Sequence, residues 1–333
     1  NPRYSLTTRT LEDCDFAIWA VENPVPYSPK NLGKNVNTAA PEYLPTLTAD
    51  DQLMLFTRRV IDANVPDGMQ DDLFYSLKDN SGDWMPAKSL YGINSSYSEG
   101  AASISADGST LVFTACDLFG KYGPGRWGKG SCDLFIANRT ANGWSEPQNM
   151  GDSINSGNWE SQPSLSADAR TVYFIRAAKG QKKDRNQDIY VSTRLKNGAW
   201  SKAKKLPSII NTPFREETVQ IHPDGVTLYF SSNGHPGMGG LDIFMTRKNE
   251  NGDWLTPVNL GYPINTGNDE NSLMVSTEGE LAYFSSNMQG GFGSFDMYSF
   301  ELYPEARPLP VTYFNGMVYD SLSRKPIGAQ FEL

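Results

Sequence analysis

The chain has 333 residues, with 29 basic against 38 acidic side chains and a net charge of −9. That balance excludes a broad phosphate-neutralising face and with it a nucleic-acid binder of the ordinary electrostatic kind. The sequence holds no run of 18 apolar residues, so no membrane span is expected, and no charged-then-apolar leader precedes a small-residue cleavage site.

Beginning at Asn1 and stopping at Leu333, the sequence reads as an internal piece of something longer, with room upstream for a leader or a lipid anchor. Residues 1–23 predict one amphipathic helix. Leu11, Cys14, Ile18 and Val21 fall at helical spacing, Thr10 is placed to cap, Glu12 and Asp13 follow in the first turn, and Pro24 stops it. A lone helix of this length is marginal, so it is expected either to dock on the rest of the chain or to end an upstream helical domain.

From residue 37 onward a set of landmarks recurs five times, 54 to 61 residues apart, starting from Asn37, Asn94, Asn155, Asn211 and Asn265. Five residues on stands Glu (Glu42, Glu99, Glu160, Glu216, Glu270), and nineteen on stands Phe (Phe56, Phe113, Phe174, Phe230, Phe284). After a variable gap comes an Asp followed by an apolar residue and an aromatic: Asp72, Asp133, Asp188, Asp242 and Asp296. Trp84, Trp144, Trp200 and Trp254 close the first four copies. Each copy reads as four short strands, in the third copy near 162–166, 171–176, 188–193 and 200–205, separated by Asp-Gly and Asn-Gly turns that tolerate positive φ. Five such antiparallel sheets arranged radially predict an all-β chain, a five-bladed β-propeller over residues 24–303.

The first four copies end in a segment such as Pro257-Val258-Asn259-Leu260-Gly261, which the fifth lacks and Pro29-Lys30-Asn31-Leu32-Gly33 supplies. Residues 24–33 are therefore expected to provide the outer strand of the last blade and to remove its exposed edge. Beyond it, 304–310 reads as a Pro-rich, semi-rigid linker, and 311–333 as the start of a truncated C-terminal β-sandwich.

These repeats carry a family resemblance. His222-Pro-Asp-Gly-Val-Thr-Leu-Tyr-Phe-Ser-Ser-Asn233 with the following Asp242-Ile-Phe resembles the PD40, or TolB-like, propeller repeat, and the likeness covers 31–300. The tail, with Asn315-Gly-Met-Val-Tyr-Asp320, looks like the opening of a carboxypeptidase-regulatory-like domain. Helix, five-repeat propeller and that domain in this order resemble the PorE family of periplasmic lipoproteins in type IX secretion. The resemblance implies a periplasmic adaptor tethered to the outer membrane, with other cell-envelope or secretion-system proteins as partners. It implies peptidoglycan binding only through an OmpA-like domain absent from this chain.

The repeated acids carry the first candidate chemistry. Strand order places all five Glu and all five Asp on the face that holds the blade starts and the long loops between second and third strands. Paired carboxylates invite a glycosidase reading, which needs an acid and a nucleophile or base in distinct environments. Fivefold recurrence instead favours a structural role, such as accepting backbone N–H bonds where strands begin; a carboxylate ring around a cation is the third alternative. His222 and His235 have no Cys or His at ligand spacing, so no metal and no cofactor are expected.

Two loops break the repeat. Lys121, Arg126, Trp127 and Lys129 in the second copy, and Lys182, Lys183 and Arg185 in the third, make adjacent basic insertions on an acidic molecule. They are read either as solvated loops or as a docking site for an acidic partner. If Phe113 pairs with Phe135, the same register sets Cys116 opposite Cys132, about 4.5 to 5.5 Å apart at Cβ. The expectations there are a disulfide, worth about 3 kcal/mol in the loop-entropy account, or two buried thiols. The whole predicts a non-catalytic binding scaffold, with an envelope glycan-binding or glycan-hydrolysing propeller as the alternative.

Overall fold

A computed structural model describes residues 2–63, 65, 68–177, 186–312, 318–325 and 327. The chain begins with α1 (Pro2–Glu22), which starts ahead of Thr10 and so leaves it inside the helix instead of at its cap. Proline suits a first helical turn because its missing N–H has no partner there anyway. At the other end the Asn23 side-chain amide donates to the Trp19 carbonyl at 2.8 Å and closes the helix before Pro24.

The apolar stripe of the helix faces outward: Leu11, Ile18 and Val21 are exposed, as is Cys14. The docked side is polar and small. The Arg9 guanidinium lies 4.2 Å from the Phe214 ring centroid, and Asp13 Oδ1 accepts the Gly237 N–H at 3.1 Å. Ala20, two turns on from Asp13, is fully buried. A cation–π contact and a charge-assisted hydrogen bond thus set the rotation of the helix against the blades.

After β1 (Lys30–Asn31) come five radial sheets. Blade 1 is β2 (Glu42–Leu47), β3 (Leu53–Ile61), β4 (Met69–Leu77) and β5 (Lys88–Ser89). Blade 2 is β6 (Glu99–Ile104), β7 (Thr110–Cys116), β8 (Cys132–Thr140), a short β9 (Gly143–Trp144) and β10 (Gln148–Asn149). Blade 3 follows as β11 (Trp159–Leu165), β12 (Thr171–Ala177), β13 (Gln187–Thr193) and β14 (Lys204–Lys205). Blade 4 is β15 (Glu216–Ile221), β16 (Thr227–Ser232), β17 (Asp242–Arg247) and β18 (Val258–Asn259), and blade 5 is β19 (Met274–Val275), β20 (Leu281–Ser286) and β21 (Asp296–Glu301). All pairing within blades is antiparallel; blades 2 and 3 also touch through one parallel pair, Trp159 with Cys132.

The fifth blade takes its outer strand from the other end of the chain: Lys30 pairs with Ser299 and Asn31 with Tyr298. This gives blade 5 the same four strands as its neighbours and leaves no long unpaired edge on β21. Val25 and Tyr27 pack beside Phe284 and Phe300, so the closing segment is anchored by apolar burial as well as by its ladder.

Each blade start is fastened to the preceding blade by its Asn. Asn155 Oδ1 accepts the Leu134 N–H and its Nδ2 donates to the Leu134 carbonyl, both at 2.8 Å, so the side chain acts as one extra rung across the blade interface. Asn37 does the same to Met297, Asn94 to Leu73, Asn211 to Ile189 and Asn265 to Ile243. A carboxamide offers both a donor and an acceptor, which explains why Asn holds this position.

Seven residues after each Asn the backbone turns left-handed at a non-glycine residue: Leu44, Ala101, Gln162, Thr218 and Ser272 have φ between 36° and 65°. These bulges line the axis, where the first strands leave a space of only about 50 Å³. Such conformations cost about 1 to 3 kcal/mol each, offset here by bonds between blades: Ala101 N–H to Thr57 Oγ1, Thr218 N–H to Gln162 Oε1 and Ser272 N–H to Thr218 Oγ1.

On the opposite face the segment expected to be a linker is packed down. Tyr229 Oη donates to the Ala306 carbonyl at 2.7 Å, Leu309 N–H to Asp224 Oδ2 at 3.0 Å, and Arg307 pairs with Glu280 and Glu301. The β-sandwich expected over 311–333 falls largely outside the described residues; those described around Asp320 form a turn in which its carboxylate accepts the Leu322 and Ser323 N–H groups.

Candidate functional site

The five Glu sit at one geometric position. Each accepts the hydroxyl and the backbone N–H of the Ser or Thr four residues earlier: Thr38 for Glu42, Ser95 for Glu99, Ser156 for Glu160, Thr212 for Glu216 and Thr266 for Glu270. In blades 1 to 3 an arginine completes the site. Arg58, Arg126 and Arg176 reach Glu42, Glu99 and Glu160 at 2.7, 2.6 and 2.6 Å, and each donates a second bond to the carbonyl just before the repeat Asn, on Val36, Ile93 and Ile154. The same guanidinium lies over the repeat Phe at 5.5 to 5.6 Å.

These carboxyls are internal. Glu42, Glu99, Glu160 and Glu216 have no exposed surface, whereas Glu270 is only half-buried. Burial pushes Glu99 and Glu216 up to about 7, against the pull of their hydrogen-bond donors. The Asp set works at the loops. Asp133 accepts the Lys129 and Gly130 N–H groups, Asp242 the Met238 N–H, and Asp296 the Phe292 and Gly293 N–H groups. Asp72 instead takes the Gln70 amide, and Asp188 pairs with Lys205 at 2.6 Å. Among the described residues no group of three or more His, Cys, Asp and Glu is arranged to hold a metal ion. His222 bonds the Ser276 carbonyl and His235 the Ile210 carbonyl, each inside the propeller.

The basic loops come apart into unlike pieces. Arg126 is buried, 8 % exposed, and engaged with Glu99 and Ile93, so it is unavailable to a partner; the guanidinium is pulled inward because Ala115 occupies the strand position from which Arg58 and Arg176 reach their own Glu. Lys129 pairs with Asp152 at 2.5 Å, Lys121 is exposed, and Trp127 is 79 % exposed. Lys182, Lys183 and Arg185 lie outside the described residues. Cys116 and Cys132 are joined by a disulfide at the base of the blade 2 loop, opposite one another in the β7–β8 ladder.

Sequence reasoning did not find the apolar content of this face. Phe119 is 85 % exposed beside the same loop, Ile61 and Met69 project from the tip of the β3–β4 hairpin, and Phe292 and Phe295 from the blade 5 loop. Their signal was present, since apolar residues interrupt turn-rich segments, but only the strand order puts them on one side.

At the mouth of the axis on this face, a hollow of about 280 Å³ lies between blades 1, 2 and 3. Among the described residues its one carboxylate is Asp71, which accepts the Tyr43 hydroxyl at 2.6 Å and the Arg59 guanidinium at 2.9 Å.

No protein-family model matches the sequence, and no curated relative is found. Solved structures do resemble it. A putative TolB from Agrobacterium tumefaciens aligns at 15 % identity over 84 % of this chain and 85 % of that one, with a TM-score of 0.48. TolB from Acinetobacter baumannii aligns at 16 % over 78 % and 54 %, TM-score 0.43, and a putative glycoside hydrolase from Parabacteroides distasonis at 10 % over 82 % and 89 %, TM-score 0.45. The fold rests on strand pairing. At such distances the likenesses carry nothing about activity, and names as unlike as TolB and glycoside hydrolase stand side by side.

Proposed function

We propose that this chain is a non-catalytic protein-binding scaffold of the bacterial cell envelope, working as a periplasmic adaptor of type IX secretion tethered to the outer membrane. The observation that carries the scaffold reading is the presentation of Phe119 and Trp127, 85 % and 79 % exposed, on a loop whose base is pinned by the Cys116–Cys132 disulfide and by buried Arg126. Large aromatics held out rigidly lose little conformational freedom on contact and make strong anchors in protein interfaces. Three of the repeated acids support the non-catalytic part: Glu42, Glu99 and Glu160 are committed to backbone, hydroxyl and arginine partners, and among the described residues the hollow at the axis mouth is lined by one carboxylate where hydrolysis of a glycoside uses two. The type IX assignment rests on the resemblance of domain order to the PorE family.

The test is capture from envelope extracts with the intact chain and with Phe119→Ser and Trp127→Ser together. A partner retained by the parent and lost by the double variant supports the scaffold; identical partner sets from both, or turnover of envelope glycans by the parent, would sink it.

A further inference from the structure

The cation that completes the Glu site in blades 1 to 3 is missing from blade 5. In blades 1 and 3 it comes from the residue opposite the loop Asp, with Arg58 across from Asp72 and Arg176 across from Asp188. In blade 2 that position is Ala115 and Arg126 arrives from the loop. Blade 4 splits the arginine's two contacts between two residues. Ser232 Oγ donates to Glu216 at 3.0 Å, while His235 Nε2 meets the Ile210 carbonyl at 2.8 Å and its ring lies against Phe230. Blade 5 has Ser286 across from Asp296, and the sequence from 265 to 303 contains no Lys, Arg or His.

The vacated volume is a cavity of about 290 Å³ whose wall includes Ile264, Glu270, Phe284 and Ser286. These are the counterparts of the carbonyl, the carboxylate, the ring and the missing arginine of blades 1 and 3. Among the described residues nothing donates to the Ile264 carbonyl, and Glu270 has only Thr266 as a side-chain partner. The cavity opens past exposed Asn268, Asp269 and Asn287, which is why Glu270, unlike the other four, reaches solvent. Close by, the Glu270 N–H bonds the Leu241 carbonyl, and the residue after Leu241, Asp242, is 2 % exposed with Oδ1 lacking any partner. The site therefore offers a carboxyl group with no cation beside it, an idle carbonyl acceptor and an aromatic face.

We propose that this cavity is a receptor for the guanidinium of an arginine side chain presented by a partner protein, seated between Glu270, the Ile264 carbonyl and Phe284 as Arg176 is seated between Glu160, the Ile154 carbonyl and Phe174. The planar fork spans both acceptors at once while its face rests on the ring; an ammonium's three donors diverge from one nitrogen and it has no flat face to lay on the ring. A volume near 300 Å³ is at the small end of ligand pockets and accommodates one side chain, not a large ligand. The identity of the source as a protein rests on the scaffold reading; the cavity chemistry does not.

The probe is Nα-acetyl-arginine amide, titrated into the full chain and followed by calorimetry, with the lysine analogue beside it. Binding of the arginine probe at least tenfold tighter than the lysine one, lost in Glu270→Gln, is the expected result. Ser286→Arg plants an arginine at the strand position used by Arg58 and Arg176, so it should abolish probe binding and raise the melting temperature. The proposal is overturned by no binding to the parent, by equal binding of both probes, or by unchanged binding in the two variants. Repeating the extract capture with Ser286→Arg separates the two ideas: a receptor that binds the probe while the variant keeps every partner removes the protein source, and a failed probe leaves the Phe119–Trp127 surface untouched.

Discussion

Arg126 enters from a loop and reaches Glu99 at 2.6 Å, occupying the place that Arg58 and Arg176 occupy from the strand. Because both partners are buried, the pair is sensitive to loss of one member: Arg126→Ala leaves a buried carboxyl facing Phe113 and the Ile93 carbonyl without its donor. Removal of one partner of a buried pair costs about 3 to 5 kcal/mol, so urea unfolding should show a large fall in stability. A change under about 1 kcal/mol would mean that the loop, and not the ion pair, closes this site.

The disulfide predicts thiol counts. Blocking free thiols in denatured, unreduced protein should modify Cys14 alone, and intact mass should show one adduct. Replacing Cys116 and Cys132 by Ala should lower stability by about 3 kcal/mol, the loop-entropy value for a loop of this size. Three adducts would contradict the bridge.

Asn31 is the hinge pin of ring closure. Its Nδ2 donates to Asp296 Oδ2 at 2.8 Å, and its Oδ1 accepts from Gly33 N–H and Asn37 Nδ2. Asn31→Ala should cost about 1 to 3 kcal/mol through the groups left unpaired, measurable by thermal unfolding. Deleting 24–33 goes further, stripping β21 of its partner, and should give aggregates or swapped oligomers in size-exclusion chromatography. An equally stable monomer without 24–33 would show that the ring does not need this strand.

Asp242 predicts a pH dependence. Burial first of all raises its carboxyl to about 7, with Glu270 and Asp13 adding to the effect against the pull of the Met238 N–H. A carboxyl whose folded pKa lies above its unfolded value is favoured neutral in the fold. Its contribution is therefore fully present below about 4 and is lost as pH rises toward about 7, because over that range the unfolded chain has ionised and the folded one has not. Glu99 and Glu216 act with the same sign, so the parent should lose stability between about pH 4 and 7. Asp242→Asn should remove a share of that slope on the order of 2 kcal/mol, seen as a difference in urea midpoints across the range. Parallel curves for parent and variant would place the titration elsewhere.

Blade number, strand positions and the direction of each acid follow from the residues alone, because they depend on landmarks that repeat at fixed offsets and on a side-chain alternation of two that strand geometry enforces. The Asn, Glu and Phe landmarks were all legible, as was the missing fifth ending that Lys30 and Asn31 supply to β21. Contacts between residues distant in sequence, which meet under no periodic rule, emerged only in the folded molecule. Packing turned α1 so that Arg9 and Asp13, not Leu11 and Ile18, meet blade 4, drew Arg126 out of the basic surface into a buried pair, and set Ala306 against Tyr229. It also left one Glu of five, among the described residues, with neither the arginine of blades 1 to 3 nor the second hydroxyl that Ser232 gives Glu216. Spacing can announce that Glu270 matches Glu160, but only three-dimensional packing reveals whether the volume beside a carboxylate is filled, since a loop residue from any distance is free to fill it.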